Sequence, residues 1–255
     1  MGEGKVTETI LRESIMAAQK VALVTGANKG IGLETVRQLA PHGFTVLLAA
    51  CDPKKGEAVA ESLRKEGLDV QFLKLDVTSE SDRKAAAKFI AETYGKLDVL
   101  INNAGVLEHG YATPSKVPLD VIRKTFETNV FALIALTQEL LPLIKKSDAG
   151  RIVNLSSILG SVATNASGQI GDFKLVGYNA SKAAVNVFTV LLAQELKATT
   201  VKVNAAHPGW VKTDMGTDAA PMEVIDGAKT SVRLATLPAD GPTGGFFHMT
   251  DSLPW

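Results

Sequence analysis

The sequence predicts a doubly wound α/β domain: a parallel sheet of about seven strands with helices on both faces. Three observations carry that prediction. Short apolar runs of strand length alternate with helix-length amphipathic segments along nearly all 255 residues. The first such run ends in a glycine cluster that opens a helix-period stretch. No repeat of solenoid length and no low-complexity linker interrupts the alternation, so a single domain over residues 16–255 accounts for it.

The elements follow in order. Val21 to Val24 reads as a buried strand, and the glycines from Gly26 to Gly32 lead into a helix through Leu39. Phe44 to Leu48 is the second strand, closed by Cys51-Asp52-Pro53, and a charged helix runs from about Lys54 to Lys65. Val70 to Leu75 is the third. Ser79 is a good N-cap for a helix to Tyr94, with Phe89 and Ile90 on its apolar face. Leu97 to Ile101, Arg151 to Leu155 and Val201 to Ala205 are strands four to six, and Gly245 to Met249 is the seventh. Strands separated by helices imply right-handed crossovers, and a ligand is expected beyond the carboxyl ends of the strands where their order reverses.

Composition narrows the class of function. Apolar residues form 45% of the chain, enough for a globular core, and 27 basic residues balance 27 acidic ones. That balance gives no electrostatic reason to expect nucleic acid or an anionic membrane as partner. No run of about 18 uninterrupted apolar residues occurs. Residues 1–15 carry acidic side chains without a continuous apolar stretch and read as an N-terminal extension or tag, with Met16 a candidate start of the folded part. The one cysteine, Cys51, fits a reducing compartment, so Asn-x-Ser triplets at Asn154, Asn165 and Asn179 read as chance. A soluble, cytoplasmic protein is expected. His42, His109, His207 and His248 show no ligand spacing, so no metal is expected.

The glycine turn reads Thr25-Gly26-Ala27-Asn28-Lys29-Gly30-Ile31-Gly32. Its glycines permit a tight turn and a close approach of backbone to phosphate, and the following helix start offers unpaired N–H groups to a pyrophosphate. The spacing is G-x-x-x-G-x-G, where the common dinucleotide fingerprint is G-x-G-x-x-G. Together with Asn102-Asn103-Ala104-Gly105 after the fourth strand, Asp76-Val77 after the third and Pro208-Gly209 after the sixth, it resembles the short-chain dehydrogenase/reductase family over roughly Lys20 to Met215. Taken alone, Asn102 and Asn103 can be turn formers and Asp76 a solvated loop residue. The resemblance implies a Rossmann fold and a cofactor site built from Gly26, Asn28, Lys29, Gly30, Ile31, Gly32, Asp76, Val77, Asn103, Ala104, Gly105, Pro208, Gly209, Val211 and Thr213.

Tyr178-Asn179-Ala180-Ser181-Lys182 opens a helix to about Lys197, and residues four apart share a face, so phenol and ammonium can enter one pocket. A tyrosine ordinarily titrates near 10, and a neighbouring cation favours its phenolate. A Tyr-x-x-x-Lys pair can equally lie on a surface. Here Asn154 to Gly160 is similar to the family's strand-end serine motif, and Thr125 to Val130 to its helix motif with a catalytic asparagine. The resemblance implies Asn129, Ser157, Tyr178 and Lys182 as the catalytic group, with Ser156 the neighbouring alternative to Ser157. An interhelical hydrogen bond is the other reading of Asn129. In the implied mechanism Ser157 polarises a carbonyl and Tyr178 donates the proton. Lys182 binds the nicotinamide ribose and lowers the phenol's pKa, while Asn129 holds a water of the relay.

Cofactor choice is set at the end of the second strand, where an acidic residue would repel a 2′-phosphate. Ala50 stands there, Lys29 and Lys55 supply positive charge, and Cys51 replaces an arginine common in the NADPH-linked members. NADP(H) is expected, with NAD(H) left open. The closest resemblance within the family is to the carbonyl-reductase-like group, which implies NADPH-dependent reduction of ketones or aldehydes. The alternatives are a dehydrogenase for a specific secondary alcohol, sterol or sugar, and a dinucleotide-binding sensor without chemistry. Leu107 and Trp210, with Ser157, are expected to line an apolar substrate pocket. The segment Val162 to Val176, between the serine and tyrosine motifs, suggests a monomer or homodimer.

Overall fold

A computed structural model describes residues 19–108, 113–169, 171 and 175–255. The proposed extension at 1–15, Met16 and His109 lie outside these. Strand β1 (Lys20–Thr25) leads through the glycine turn to α1 (Gly30–Leu39), and β2 (Phe44–Ala50) to α2 (Pro53–Lys65). Strand β3 (Val70–Lys74), α3 (Glu80–Tyr94) and β4 (Val99–Asn102) follow. Helix α4 (Leu119–Phe126) passes through a π-helical segment (Glu127–Ala132) into α5 (Leu133–Ile144), and then comes β5 (Arg151–Leu155). A 3₁₀ turn (Ile158–Gly160), α6 (Val162–Ser167), α7 (Val176–Glu195), β6 (Lys202–Ala206), α8 (Val224–Ala235) and β7 (Phe246–His248) complete the parallel part.

The sheet has eight strands rather than seven, in the order β3-β2-β1-β4-β5-β6-β7-β8. The additional strand, β8 (Asp251–Ser252), is a two-residue antiparallel return on β7, too short for any apolar period to reveal. All other pairings are parallel.

Alternation along the strands divides the core into two layers. Val21, Leu23, Leu100 and Ile152 face one side with Ile90 of α3, Leu136 and Leu140 of α5 and Leu192 of α7. Ala22, Val24, Val46 and Ile101 face the other with Val36 and Leu39 of α1, Leu63 of α2 and Leu234 of α8. Burial on both faces explains why these strands read as continuous apolar runs. The helical stretch Leu119–Ile144 has the length and apolarity to cross a membrane, but half of its most apolar window is buried in this core. Strand order reverses between β1 and β4, so their carboxyl ends leave a crevice.

Candidate active site

The crevice is a cleft of about 940 Å³ over the carboxyl ends of the central strands. Its floor is made by two interlocked turns. Thr25 Oγ1, at the end of β1, accepts hydrogen bonds from Asn103 N at 3.0 Å and Ala104 N at 2.9 Å. Asn103 Nδ2 donates back to Thr25 O at 2.7 Å and Gly26 O at 3.2 Å. Packing is so close that a Cβ at Gly32 would lie 2.4 Å from Asn103 Nδ2 and 2.7 Å from Gly26 O. Helix α1 has no side-chain cap and no acid in its first turn, so its amino end presents unpaired N–H groups towards the cleft. Residues present therefore fit a dinucleotide: a glycine cradle that any Cβ would fill, ending in a positive helix terminus.

At the adenosine end, Ala50 and the exposed Cys51 line the cleft, with Asp76, Val77 and Thr78 opposite. Asp76 Oδ1 accepts from Thr78 N at 2.9 Å and Thr78 Oγ1 at 2.7 Å, which fixes the carboxylate at the mouth. Lys29 lines the cleft too, but its ammonium is paired with Asp214 at 2.6 Å, across the opening. Lys55 stands off the cleft walls, 3.7 Å from Asp52, because that aspartate caps α2 and holds the lysine over its own helix.

The reacting groups gather at the other end. Tyr178 and Lys182 share one face of α7 and line the cleft together, with Lys182 Nζ 5.6 Å from the phenol ring centroid. Burial pushes Tyr178 up to about 12, against a hydrogen bond with Ser157 that lowers it. Burial also pushes Lys182 down to about 8. The ammonium donates to Leu155 O at 2.7 Å. Asn129 lies in the π-helical segment, a distortion common at functional positions. Its Oδ1 accepts from Val106 N at 2.8 Å, and its Nδ2 donates to Val106 O at 2.9 Å and Ser181 Oγ at 3.1 Å. The asparagine thereby ties the loop after β4 to α7 beside Lys182.

The short chain dehydrogenase family model matches residues 20–224. The chain belongs to the short-chain dehydrogenase/reductase family. Among curated members, this chain is 36% identical to the NADPH carbonyl reductase 3 of Rattus norvegicus, over 88% of this chain and 93% of the relative. It is 33% identical to short-chain dehydrogenase/reductase 1 of Saponaria officinalis, over 95% of this chain and 98% of the relative. The NADPH-bound carbonyl reductase from chicken fatty liver superposes with a TM-score of 0.81 at 30% identity, covering 93% of this chain and 99% of that one. Two of these three relatives are carbonyl reductases by name, in keeping with the carbonyl-reductase-like group expected from the motifs.

Of the residues expected at the cofactor, Gly26, Asn28, Lys29, Gly30, Ile31, Gly32, Cys51, Asp76, Val77, Asn103, Ala104, Gly105, Tyr178, Lys182, Pro208 and Thr213 line the cleft. Gly209 and Val211 flank it without forming its wall, and Val211 is buried against Gly227. Leu107 lines the wall, whereas Trp210 is 45% exposed and turns its indole N–H to Gly216 O at 2.7 Å. Asn129 and Ser157 are buried and stand behind the wall, Ser157 joined to it by a hydrogen bond with Tyr178, whereas Ser156, the neighbouring alternative, lines the cleft. Among the wall residues that sequence reasoning missed are Thr78, Val106, Thr128, Lys212, Asp214 and Val224. Asp214 carried a signal, as the one acid in the Pro208–Met215 segment, but its partner is 185 positions away. His207 and His248, 41 positions apart, bring their rings within 5.1 Å, which spacing along the chain could not show.

Proposed function

We propose that this protein reduces ketones or aldehydes to alcohols with NADPH, reversibly, and that Tyr178 is its general acid and base. The observation that carries this is the meeting of Tyr178 and Lys182 in a dinucleotide-shaped cleft, with Ser157 hydrogen-bonded to the Tyr178 side chain from behind the wall. When bound, the reduced nicotinamide supplies a hydride. Ser157 and Tyr178 hold the substrate oxygen between two hydroxyls, and the phenol passes its proton to that oxygen as charge develops. A phenol held near 12 keeps its proton throughout the neutral range, which suits donation to an alkoxide. Lys182, close to neutrality at about 8, is placed to hold ribose hydroxyls, and Asn129 to anchor the relay beside it.

Cofactor contacts are assigned to the lining residues above, with Lys29 in the wall as a cation for the phosphates and Lys55 outside it. Val106, Leu107, Met215 and Val224 give the substrate end an apolar wall and support an apolar carbonyl compound. The assembly is a monomer or homodimer. Phe131, Val187 and Leu191, each more than half exposed on the packed π-helical segment and α7, offer a face for a second copy. A cytoplasmic location is part of the same reading, supported by an exposed free thiol at Cys51.

The test is NADPH oxidation against a panel of ketones and aldehydes, with Tyr178→Phe alongside. The variant should lose about 100-fold or more of its turnover while its NADPH affinity stays within a few-fold. Retained turnover would refute the role of Tyr178. Absence of turnover on every carbonyl and alcohol tried, with cofactor still bound, would favour a sensor.

A further inference from the structure

Two serines end β5, and the chemistry above uses only the second. Ser156 is 2% exposed and donates its hydroxyl to Asn186 Oδ1 at 2.6 Å. Asn186 is 4% exposed and lies four residues beyond Lys182 and eight beyond Tyr178, on the same face of α7. Its Nδ2 donates to Gly160 O at 3.3 Å. One side-chain amide therefore holds both ends of the turn, residues 156–160, that carries Ser157.

The turn has no slack against the helix. A Cβ at Gly160 would lie 2.6 Å from Lys182 C and 2.7 Å from Lys182 Cβ, so the backbones touch. On its other side Ser156 N donates to Ala206 O of β6 at 2.8 Å. Inside it, Leu159 N donates to Ser157 Oγ at 3.2 Å. Only an asparagine offers an acceptor and a donor in this fork at this length. Leucine would fill the volume and strand two buried polar groups; aspartate would lose the donor and bury a charge.

We infer that Asn186 is a positioning residue, whose amide sets the height of Ser157 along α7 and so its distance from the Tyr178 hydroxyl. This rests on the roles proposed above for Ser157 and Tyr178. Displacing a reacting group by a fraction of an ångström to one ångström costs turnover steeply, so a loss of about 10-fold to 100-fold in kcat is expected when the amide is removed.

The experiment is a double-mutant cycle read with kcat, the pH profile of kcat/KM and the NADPH Kd of the free protein by fluorescence. Asn186→Leu should lower kcat about 10-fold or more and leave NADPH Kd within two-fold. It should also move the tyrosine limb of the profile to higher pH, because the Ser157 hydrogen bond that holds the phenol down is loosened. In a Ser157→Ala background the same substitution should cost nothing further. An equal loss in both backgrounds, or unchanged kcat and pH profile in folded Asn186→Leu, overturns the inference. Ser156→Ala removes the same hydrogen bond from the turn side and carries the test if Asn186→Leu does not fold. A Ser157→Ala variant with full turnover would instead overturn the roles proposed for Ser157 and Tyr178.

Discussion

Replacing Lys182 by methionine should abolish turnover and make the protein more stable. The ammonium is 5% exposed, and burial brings its pKa from 10.5 to about 8. Each unit corresponds to about 1.4 kcal/mol, so the folded protein carries roughly 3 kcal/mol of unfavourable burial at pH 7. Methionine keeps the length and the packing of the stem without the charge. Losing the hydrogen bond to Leu155 O offsets part of the gain, about 1–2 kcal/mol, since Leu155 lines the cleft and water can replace the donor. A net gain of about 1–2 kcal/mol is expected, or roughly 2–8 °C in Tm. The sign of the pH dependence is also fixed. Below pH 8 the lysine is charged in both states and the cost is fully present. Between pH 8 and 10.5 the folded state has released the proton and the unfolded state has not, so stability of the parent rises with pH. Urea unfolding of parent and variant at pH 7, 8 and 9.5 measures this. A variant less stable than the parent at pH 7, or a gap between them that does not close by pH 9.5, would refute the reasoning.

Three further outcomes follow from the cleft and the strand ends. Cys51→Arg should raise the ratio of kcat/KM with NADPH to that with NADH about 10-fold, by adding a planar cation at the adenosine end; an unchanged ratio would remove position 51 from cofactor choice. Asp214→Asn should free Lys29 for the 2′-phosphate and tighten NADPH binding roughly two- to five-fold, with NADH unaffected, as read by titration of the free protein. His207 is held near 4, first by burial and then by the neighbouring His248, so it stays neutral in the folded state where the unfolded chain protonates it. Its contribution is present above pH 6.5 and lost as pH falls towards 4, up to about 3 kcal/mol. Urea unfolding of His207→Asn between pH 4.5 and 7 should show a flatter dependence than the parent.

The fold was legible because its strands are buried on both faces. Val21 to Val24 and Leu100-Ile101 have no polar interruption, so strand length and apolarity were enough to find them, and Ser79 announced α3 through its own side chain. Elements whose stability comes from tertiary contact were not found. Helix α8 buries Gly227, Ala228 and Ser231 against the sheet, small residues with a weak apolar signature, and β8 is held by pairing with β7 alone. The π-helical segment gives no sign in the composition of Glu127 to Ala132, and the bonds of Asn129 to Val106 that accompany it are tertiary contacts.

In the site, composition of the motifs could be read but their partners could not. Ser156 and Ser157 are adjacent and chemically identical, and only the spacing of Ser157, three residues before Gly160, separates them locally. What separates them is the strand-end pleat, which aims one hydroxyl into α7 at Asn186 and leaves the other beside Tyr178. The same holds for charge. Lys29 reads as a cation for the cofactor phosphate, and only the folded crevice shows that Asp214 already pairs with it and would compete with an entering anion for it. Tyr178 and Lys182 show the consequence for chemistry. Their four-residue spacing places them on one face, but burial drives their titrations in opposite directions, one up and one down. Spacing decided which groups meet. Burial decides how tightly each holds its proton: the phenol keeps it throughout the neutral range, and the lysine, near 8, is the first of the two to release it as pH rises.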